Sequence, residues 1–375
     1  MIYVLRTIFF DYLQQIFPVL GPRSITPVKK NDSHVLISAR TATSVPWAEP
    51  SDTATSILNI LEKYRLHNPQ AKSEPVRTVD KFIFQIERSM AGGEPVSMVL
   101  PAFPFKSANK STKVLGTLPD KGEEVALTHL NNLCEEIGKV YKHGARLYII
   151  SDGLVYNDIL KVSDEEVWRY GQQLRQLARE CGCDHLRFSR LCDLLDDEQL
   201  PEPQSEAEYV KYAPNFREET LRRYLPEGFD ATEAIARDQD INYTYCGYVR
   251  FLGLELADTL LKGSNMPTAH KIRFCKDIAK RMIHRGKAFS EAIACRFPNH
   301  LRLSIHPSTD TKKISISLIP QTGAFAMTPW HSALVRAVDG SITMQHAAKV
   351  STKTHTLISK DGKPCYFQEK SDVSI

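Results

Sequence analysis

The 375-residue chain has no Walker A motif and no G-x-G-x-x-G, the two glycine patterns that cradle nucleotide phosphates, which argues against conventional nucleotide binding. None of its twelve histidines stands two residues before an Asp or Glu, so the common local form of a facial-triad iron site is missing. Excess charge is small. The 48 basic and 44 acidic side chains leave +4, too balanced for a dedicated nucleic-acid binder but suited to a protein that handles a few anionic groups. With 25% charged and 42% hydrophobic residues the chain is an ordinary globular one, neither disordered nor collagenous. Its eight cysteines are scattered, and several fall within predicted helices or strands. They read as free thiols in a reducing compartment rather than as a disulfide framework. Cys181, Cys183, His185 and Cys192 lie close together, but this is not a zinc-ligand spacing, and no metal is expected. Residues 1–23 are apolar but broken by Arg6, Asp11, Gln14 and Gln15. They lack the roughly 20 uninterrupted apolar residues of a membrane span and the clean core of a signal peptide. Residues 8–20 read as an amphipathic helix, and the expected location is the cytoplasm.

What is present has the rhythm of an α/β protein. Residues 1–55 read as an N-terminal arm or helix plus a Pro/Ser/Thr/Lys-rich linker, and 56–375 as the main domain. Helices are predicted over 56–66 and 77–90, the second with Phe82, Ile83 and Ile86 on one face. Buried strands over 96–103, 145–150 and 185–191 then alternate with helices over 123–141 and 164–180. This pattern implies βαβ crossovers and a largely parallel, Rossmann-like sheet. Residues 204–295 read as a helical insertion of three helices, 206–224, 232–261 with a break near Gly247, and 270–294. Short strands follow, with hairpin turns at Asp339-Gly340 and Asp361-Gly362.

In open α/β sheets ligands bind beyond the carboxyl ends of the strands. The polar clusters of this chain fall at such ends. They comprise Lys106 and Ser107; Ser151, Asp152, Tyr156, Asn157 and Asp158; Arg190; and Arg302, Ser304 and His306. Lys, Arg and Ser are donors to phosphate, and Asp and His are proton carriers. Structural readings stand beside these. Asp120 with Glu123 and Ser163 with Glu166 have capping-box spacing and read as caps. Asp152-Gly153 is equally a turn, Asp158 can simply hold one, and His306 is as readily a satisfied structural histidine. Phe103 and Phe105 read as core. The basic stretch 270–287 spreads its charges around a helix without an aromatic platform, so it reads as a solvated face; a nucleic-acid-binding protein is the outside alternative.

Several longer strings carry a resemblance: PAFPFKS at 101–107, KVLG at 113–116, LPDKGEEVAL at 118–127, SDGLVYNDIL at 151–160, LRLSIHPS at 301–308, TPWH at 328–331 and EKSD at 369–372. Together, and in this order, they resemble the isocyanide (isonitrile) synthases, the pyoverdine/dityrosine biosynthesis family. The resemblance runs from about residue 56 to the C-terminus. It implies a Rossmann-like fold and an enzyme of secondary metabolism that turns the α-amino group of an amino acid (Trp, Tyr or Val in relatives) into an isocyanide. The added carbon would come from C2 of ribulose 5-phosphate, with no metal or organic cofactor. Some fungal members carry a fused iron/2-oxoglutarate oxygenase, so a tailoring oxygenase is an expected downstream partner of what looks like a stand-alone synthase. On residue type and placement, Asp152 and His306 are expected as proton carriers. Lys106 is expected to polarise the ketone, pair with the phosphate or form a Schiff base. Arg302 and Ser107 are expected on the phosphate. Ser151, Tyr156, Asn157, Asp158, Arg190 and Ser304 are expected around the sugar or amino acid, with His331 as a reserve acid/base. A family member that binds the phosphosugar without turnover is the other alternative.

Overall fold

The computed structural model describes residues 51–66, 79–151, 153–195, 202–309, 312–320 and 327–371. The expected N-terminal arm and amphipathic helix, together with Asp152, lie outside the described residues.

The order of elements follows the hydrophobic pattern. Helix α1 (Asp52–Lys63) starts four residues earlier than the periodicity suggested, because the Ser51 hydroxyl accepts the Ala54 N–H and caps it. Helix α2 (Val79–Ala91) buries Phe82, Ile83 and Ile86 as expected. Strand β1 (Val96–Pro101) leads through a long loop to helix α3 (Lys121–Val140), which opens with the complete capping box of Asp120 and Glu123. Strand β2 (Ala145–Ile150) runs into a helix that the sequence did not reveal, α4 (Gly153–Leu160). Helix α5 (Asp164–Glu180), capped by Ser163, leads to strand β3 (Leu186–Ser189) and a short helix α6 (Leu191–Leu195).

The helical insertion consists of α7 (Glu206–Tyr224), α8 (Ala231–Arg237), α9 (Gln239–Glu255) and α10 (Thr268–Arg296). The break expected at Gly247 falls instead at Asp238. Its carboxylate accepts the N–H groups of Asp240 and Ile241 and starts a new helix there. Strands β4 (Leu301–Ser304) and β5 (Ile314–Ser315) complete the main sheet. Strands β6 (Ala333–Arg336), β7 (Ile342–Gln345), β8 (His355–Lys360) and β9 (Lys363–Glu369) form a second sheet. Both expected hairpins are present. Asp361 and Gly362 each take positive φ, at 52° and 74°, as a tight hairpin turn demands.

The main sheet has strand order β3-β2-β1-β4-β5 and is parallel throughout. Its two faces bury separate cores. Val96, Met98 and Leu100 of β1 point to one side with α1, α2 and α3. Val99 points to the other, against α4, α7 and α10. The chain winds outward from β1 through β2 to β3, then returns to place β4 on the free side of β1. The direction of winding therefore reverses between β1 and β4. In open α/β sheets ligands bind at such a reversal, which makes the carboxyl ends of β1 and β4 the candidate site, called the crevice below. Among the described residues, no helix is long and apolar enough to cross a membrane.

Candidate active site

The loop leaving β1 is held in a conformation a chain would not adopt by itself. Phe103 has φ 57°, a strained value for a bulky side chain, with its ring buried 5.0 Å from that of Trp330. Two residues of this loop then grip two successive carbonyls. Lys106 Nζ donates to the Pro329 carbonyl at 3.0 Å, and the Ser107 N–H to the Trp330 carbonyl at 2.8 Å. These contacts fix the short 3₁₀ turn Pro329–His331 at the switch point and aim His331.

The second wall is the loop leaving β4. The Ser304 hydroxyl accepts the His306 N–H and donates to the His306 carbonyl, both at 3.1 Å, so this loop is also pinned. The roof is α9. Thr244, Tyr248, Phe251 and Glu255 recur at helical spacing along one of its faces. Tyr248 meets His306 edge-on at 6.3 Å, and Phe251 lies 4.6 Å from the His331 ring. Each end of the helix is tied to one loop. Asp240 accepts Thr309 N–H at 2.8 Å. Glu255 accepts the Ser107 hydroxyl at 2.7 and 2.8 Å, the Ala108 N–H at 2.6 Å and Lys113 Nζ.

The electrostatics of this crevice are distinctive. His306 is exposed. Desolvation first, and the Lys313 charge second, hold its pKa down to about 4. His331 is held well below its ordinary value, by burial and then by the charges of Lys113, His306, His346 and Lys106. Its Nδ1 is buried and has no hydrogen-bond partner among the described residues. Both imidazoles are therefore neutral near pH 7. Beyond His306 stand two cations. Burial lowers Arg302 to about 10; burial also lowers Lys313, against the opposing charge of Asp240 and with the smaller help of the Arg302 charge. Neither guanidinium nor ammonium has a hydrogen-bonded carboxylate among the described residues. Asp240 and Asp238 partly offset the Lys313 charge and Glu291 that of Arg302, and guanidinium and ammonium groups are the usual donors to phosphate.

The expected site residues divide sharply. His306, His331 and Arg302 come together at the crevice, and Ser304 shapes it. Tyr156 reaches it through its hydroxyl, 3.2 Å from that of Tyr248, and Ser151 ends β2 with its N–H on the Ser189 carbonyl. The others have structural work. Lys106 is 2% exposed, and its ammonium donates to Asp120 and Glu123 at 2.8 Å each as well as to Pro329. All three N–H bonds are occupied and two carboxylates favour its charged form, an arrangement that opposes the expected work on a ketone or as a Schiff base. The Ser107 hydroxyl faces the Glu255 carboxylate, which no phosphate would share. Asn157 donates to the Val162 carbonyl at 2.9 Å and to Asp164 at 2.7 Å, closing the end of α4. Asp158 forms a two-pronged pair with Arg285 of α10. Arg190 pairs with Glu202 and lies over the Trp168 ring at 5.7 Å.

Sequence reasoning passed over Lys113, Glu255, Tyr248, Phe251, Lys313 and His346. Lys113 stands in a string already singled out, and Lys313 lies a few residues beyond His306. Glu255 has no local signal, since its partners are more than 140 positions away. Gly153 had one. A Cβ there would lie 2.5 Å from Val167 Cγ1 and 2.7 Å from the Pro104 carbonyl oxygen, so the glycine lets α4 press against the β1 loop.

The pyoverdine/dityrosine biosynthesis protein family model matches residues 86–358. The isocyanide synthase xanB of Aspergillus fumigatus is 43% identical over 356 residues, which cover 92% of this chain and 46% of that protein. An L-tryptophan isonitrile synthase of Fischerella ambigua is 33% identical over 73% of this chain and 78% of its own. The chain thus spans about half the length of some of the curated relatives it matches. The crystal structure of the PvcA protein from Pseudomonas aeruginosa superimposes with a TM-score of 0.74 at 28% identity, covering 85% of this chain and 100% of that one.

Proposed function

The chain belongs to the pyoverdine/dityrosine biosynthesis protein family, and from this we propose that it is an isocyanide synthase of secondary metabolism. It converts the α-amino group of an amino acid to an isocyanide whose carbon is C2 of ribulose 5-phosphate. The observation that carries the reading is the juxtaposition, at the β1/β4 switch point, of two neutral histidines with a desolvated cation pair. The amine must be neutral to attack a ketone, so a proton acceptor is needed. Dehydration of the adduct to an imine needs a proton donor, and breakdown of the sugar skeleton needs further transfers. His306 and His331 supply these transfers, with Asp152, outside the described residues, as a third carrier. Arg302 and Lys313 hold the phosphate, a group that repays the desolvation of both. The Tyr156–Tyr248 hydroxyl pair borders the sugar or the amino acid.

The amino acid comes from the set Trp, Tyr and Val. Relatives are named for L-tryptophan and L-tyrosine. The eight cysteines are free thiols, which fits action in a reducing cytoplasm, with a tailoring oxygenase acting on the product. Incubation of the protein with an amino-acid panel and ribulose 5-phosphate labelled at C2, read by mass spectrometry, tests the reading. A labelled isocyanide from at least one amino acid is expected. Consumption of none would overturn it.

A further inference from the structure

One group of side chains is left over from the reading above, and it lies directly behind His331. Glu255 is 0% exposed, and Lys113 is 3% exposed. They form an ion pair in the protein interior, joining α9 to the β1 loop. Burying two charges is unfavourable unless each is well satisfied. Glu255 is satisfied: besides Lys113 it takes the Ser107 hydroxyl and the Ala108 N–H. Lys113 has that carboxylate on one side and the face of the Phe251 ring, 4.6 Å away, on another. Phe251 in turn lies 4.6 Å from the His331 ring. Phe251 thus touches both the ammonium, which lies over its ring, and the imidazole, which is tilted 55° to it. Phe251 and Glu255 are four residues apart on one helix, so a single element holds both ends of the pair's surroundings.

A buried ion pair is weak evidence for stability, because apolar residues of the same volume would serve as well or better. Its placement behind a neutral imidazole suggests another use. The loop that carries Lys113 is docked on the turn after His346, with Ala347 and Ala348 N–H groups donating to the carbonyls of Lys113 and Thr112. The ammonium is therefore fixed from both directions. We propose that Lys113 and Glu255 form a positioning pair for His331, acting across the Phe251 ring. Burial lowers the proton affinity of Lys113, and Glu255, by charge and hydrogen bond, opposes that loss and holds the ammonium beside the imidazole. The charged and titratable groups facing His331 are Lys113 and Lys106 from the β1 loop, His306 from the β4 loop and His346 from the second sheet. Of these, Lys113 follows burial in size of effect, and its charge discourages protonation of the imidazole.

The inference refines the role of a residue used in the proposed reaction, but its test does not need turnover. The full-length double variant Lys113→Met, Glu255→Gln removes both charges together and leaves no lone buried ion. Its fold is checked by circular dichroism against the parent. Histidine-labelled protein is then titrated by NMR, with the His331 signal assigned through His331→Gln. The parent imidazole is expected to titrate well below the ordinary histidine midpoint. In the double variant its midpoint should rise by about half a pH unit, because the near ammonium is lost together with the more distant carboxylate that partly offsets it. The charge-preserving Lys113→Arg should keep the parental midpoint. A folded double variant with an unmoved His331 midpoint would overturn the proposal. So would a Lys113→Arg midpoint as high as that of the double variant. If the shift is seen but no labelled isocyanide forms, the synthase reading fails and the pairing stands.

Discussion

Replacing Lys106 by methionine separates a structural lysine from a reacting one. The side chain keeps its length, but the ammonium that neutralises Asp120 and Glu123 is lost. Those carboxylates are 5% and 0% exposed, so the variant is left with two like charges in the interior. Breaking a buried pair from one side costs about 3–5 kcal/mol. At about 2 °C per kcal/mol for a large domain, the melting temperature should fall by roughly 6–10 °C. The penalty should also depend on pH. Burial, only partly offset by Lys106, already lifts Asp120 to about 7. Without Lys106 its folded-state pKa rises further. A carboxyl whose folded pKa lies above its unfolded value contributes stability that is present in acid and lost as pH rises through the folded pKa. The variant should therefore differ least from the parent near pH 5 and most near pH 8. Thermal melts of both proteins at the two pH values provide the assay. A variant that melts within a degree of the parent at pH 8, yet has lost all turnover, would refute the argument and return Lys106 to the reacting groups.

Gly153→Ala should destabilise by about 2–3 kcal/mol in urea unfolding, since the added methyl collides with Val167 and the Pro104 carbonyl; a parental midpoint would contradict this. Asp158→Asn should cost about 1 kcal/mol or less by the same measurement and leave turnover intact, because its pair with Arg285 is partly solvated. His306 should gain proton affinity when ribulose 5-phosphate binds, because the dianion offsets the neighbouring Lys313; an NMR titration showing no upward shift from about 4 would count against a phosphate there. His306 and His331 also predict a pH limit. Groups with folded pKa below the unfolded value of about 6.5 contribute stability present above that pH and lost as it falls toward 4. Activity should accordingly be insensitive to their titration between pH 7 and 8, and thermal stability should decline between about pH 6 and 4.

The architecture was largely legible because its causes are local. Alternating strands and helices dictate crossovers, and the caps at Asp120 and Ser163 and the turns at Gly340 and Gly362 are written in three or four adjacent residues. Strand ends are recognisable in sequence, so the polar residues beyond β1, β2 and β4 stood out; the direction each side chain takes there did not. Tyr156, Asn157 and Asp158 looked like a polar loop, but an eight-residue helix with seven buried positions has no solvent face to give it a period. Lys106 and Ser107 stood at the right strand end, yet both turn inward. Their choice of Asp120, Glu123 and Glu255 over a ligand depends on contacts 14, 17 and 148 positions away. Conversely, Glu255 and Phe251 sit in a helix that reads as generic.

The claim that matters most is that the crevice between β1 and β4 grips a pentulose phosphate. A crystal structure of the protein soaked with ribulose 5-phosphate tests it directly. The account predicts the phosphate against Arg302 and Lys313 with the carbon chain directed toward His306 and His331. Sugar phosphate bound at another surface, with this crevice empty, would contradict it.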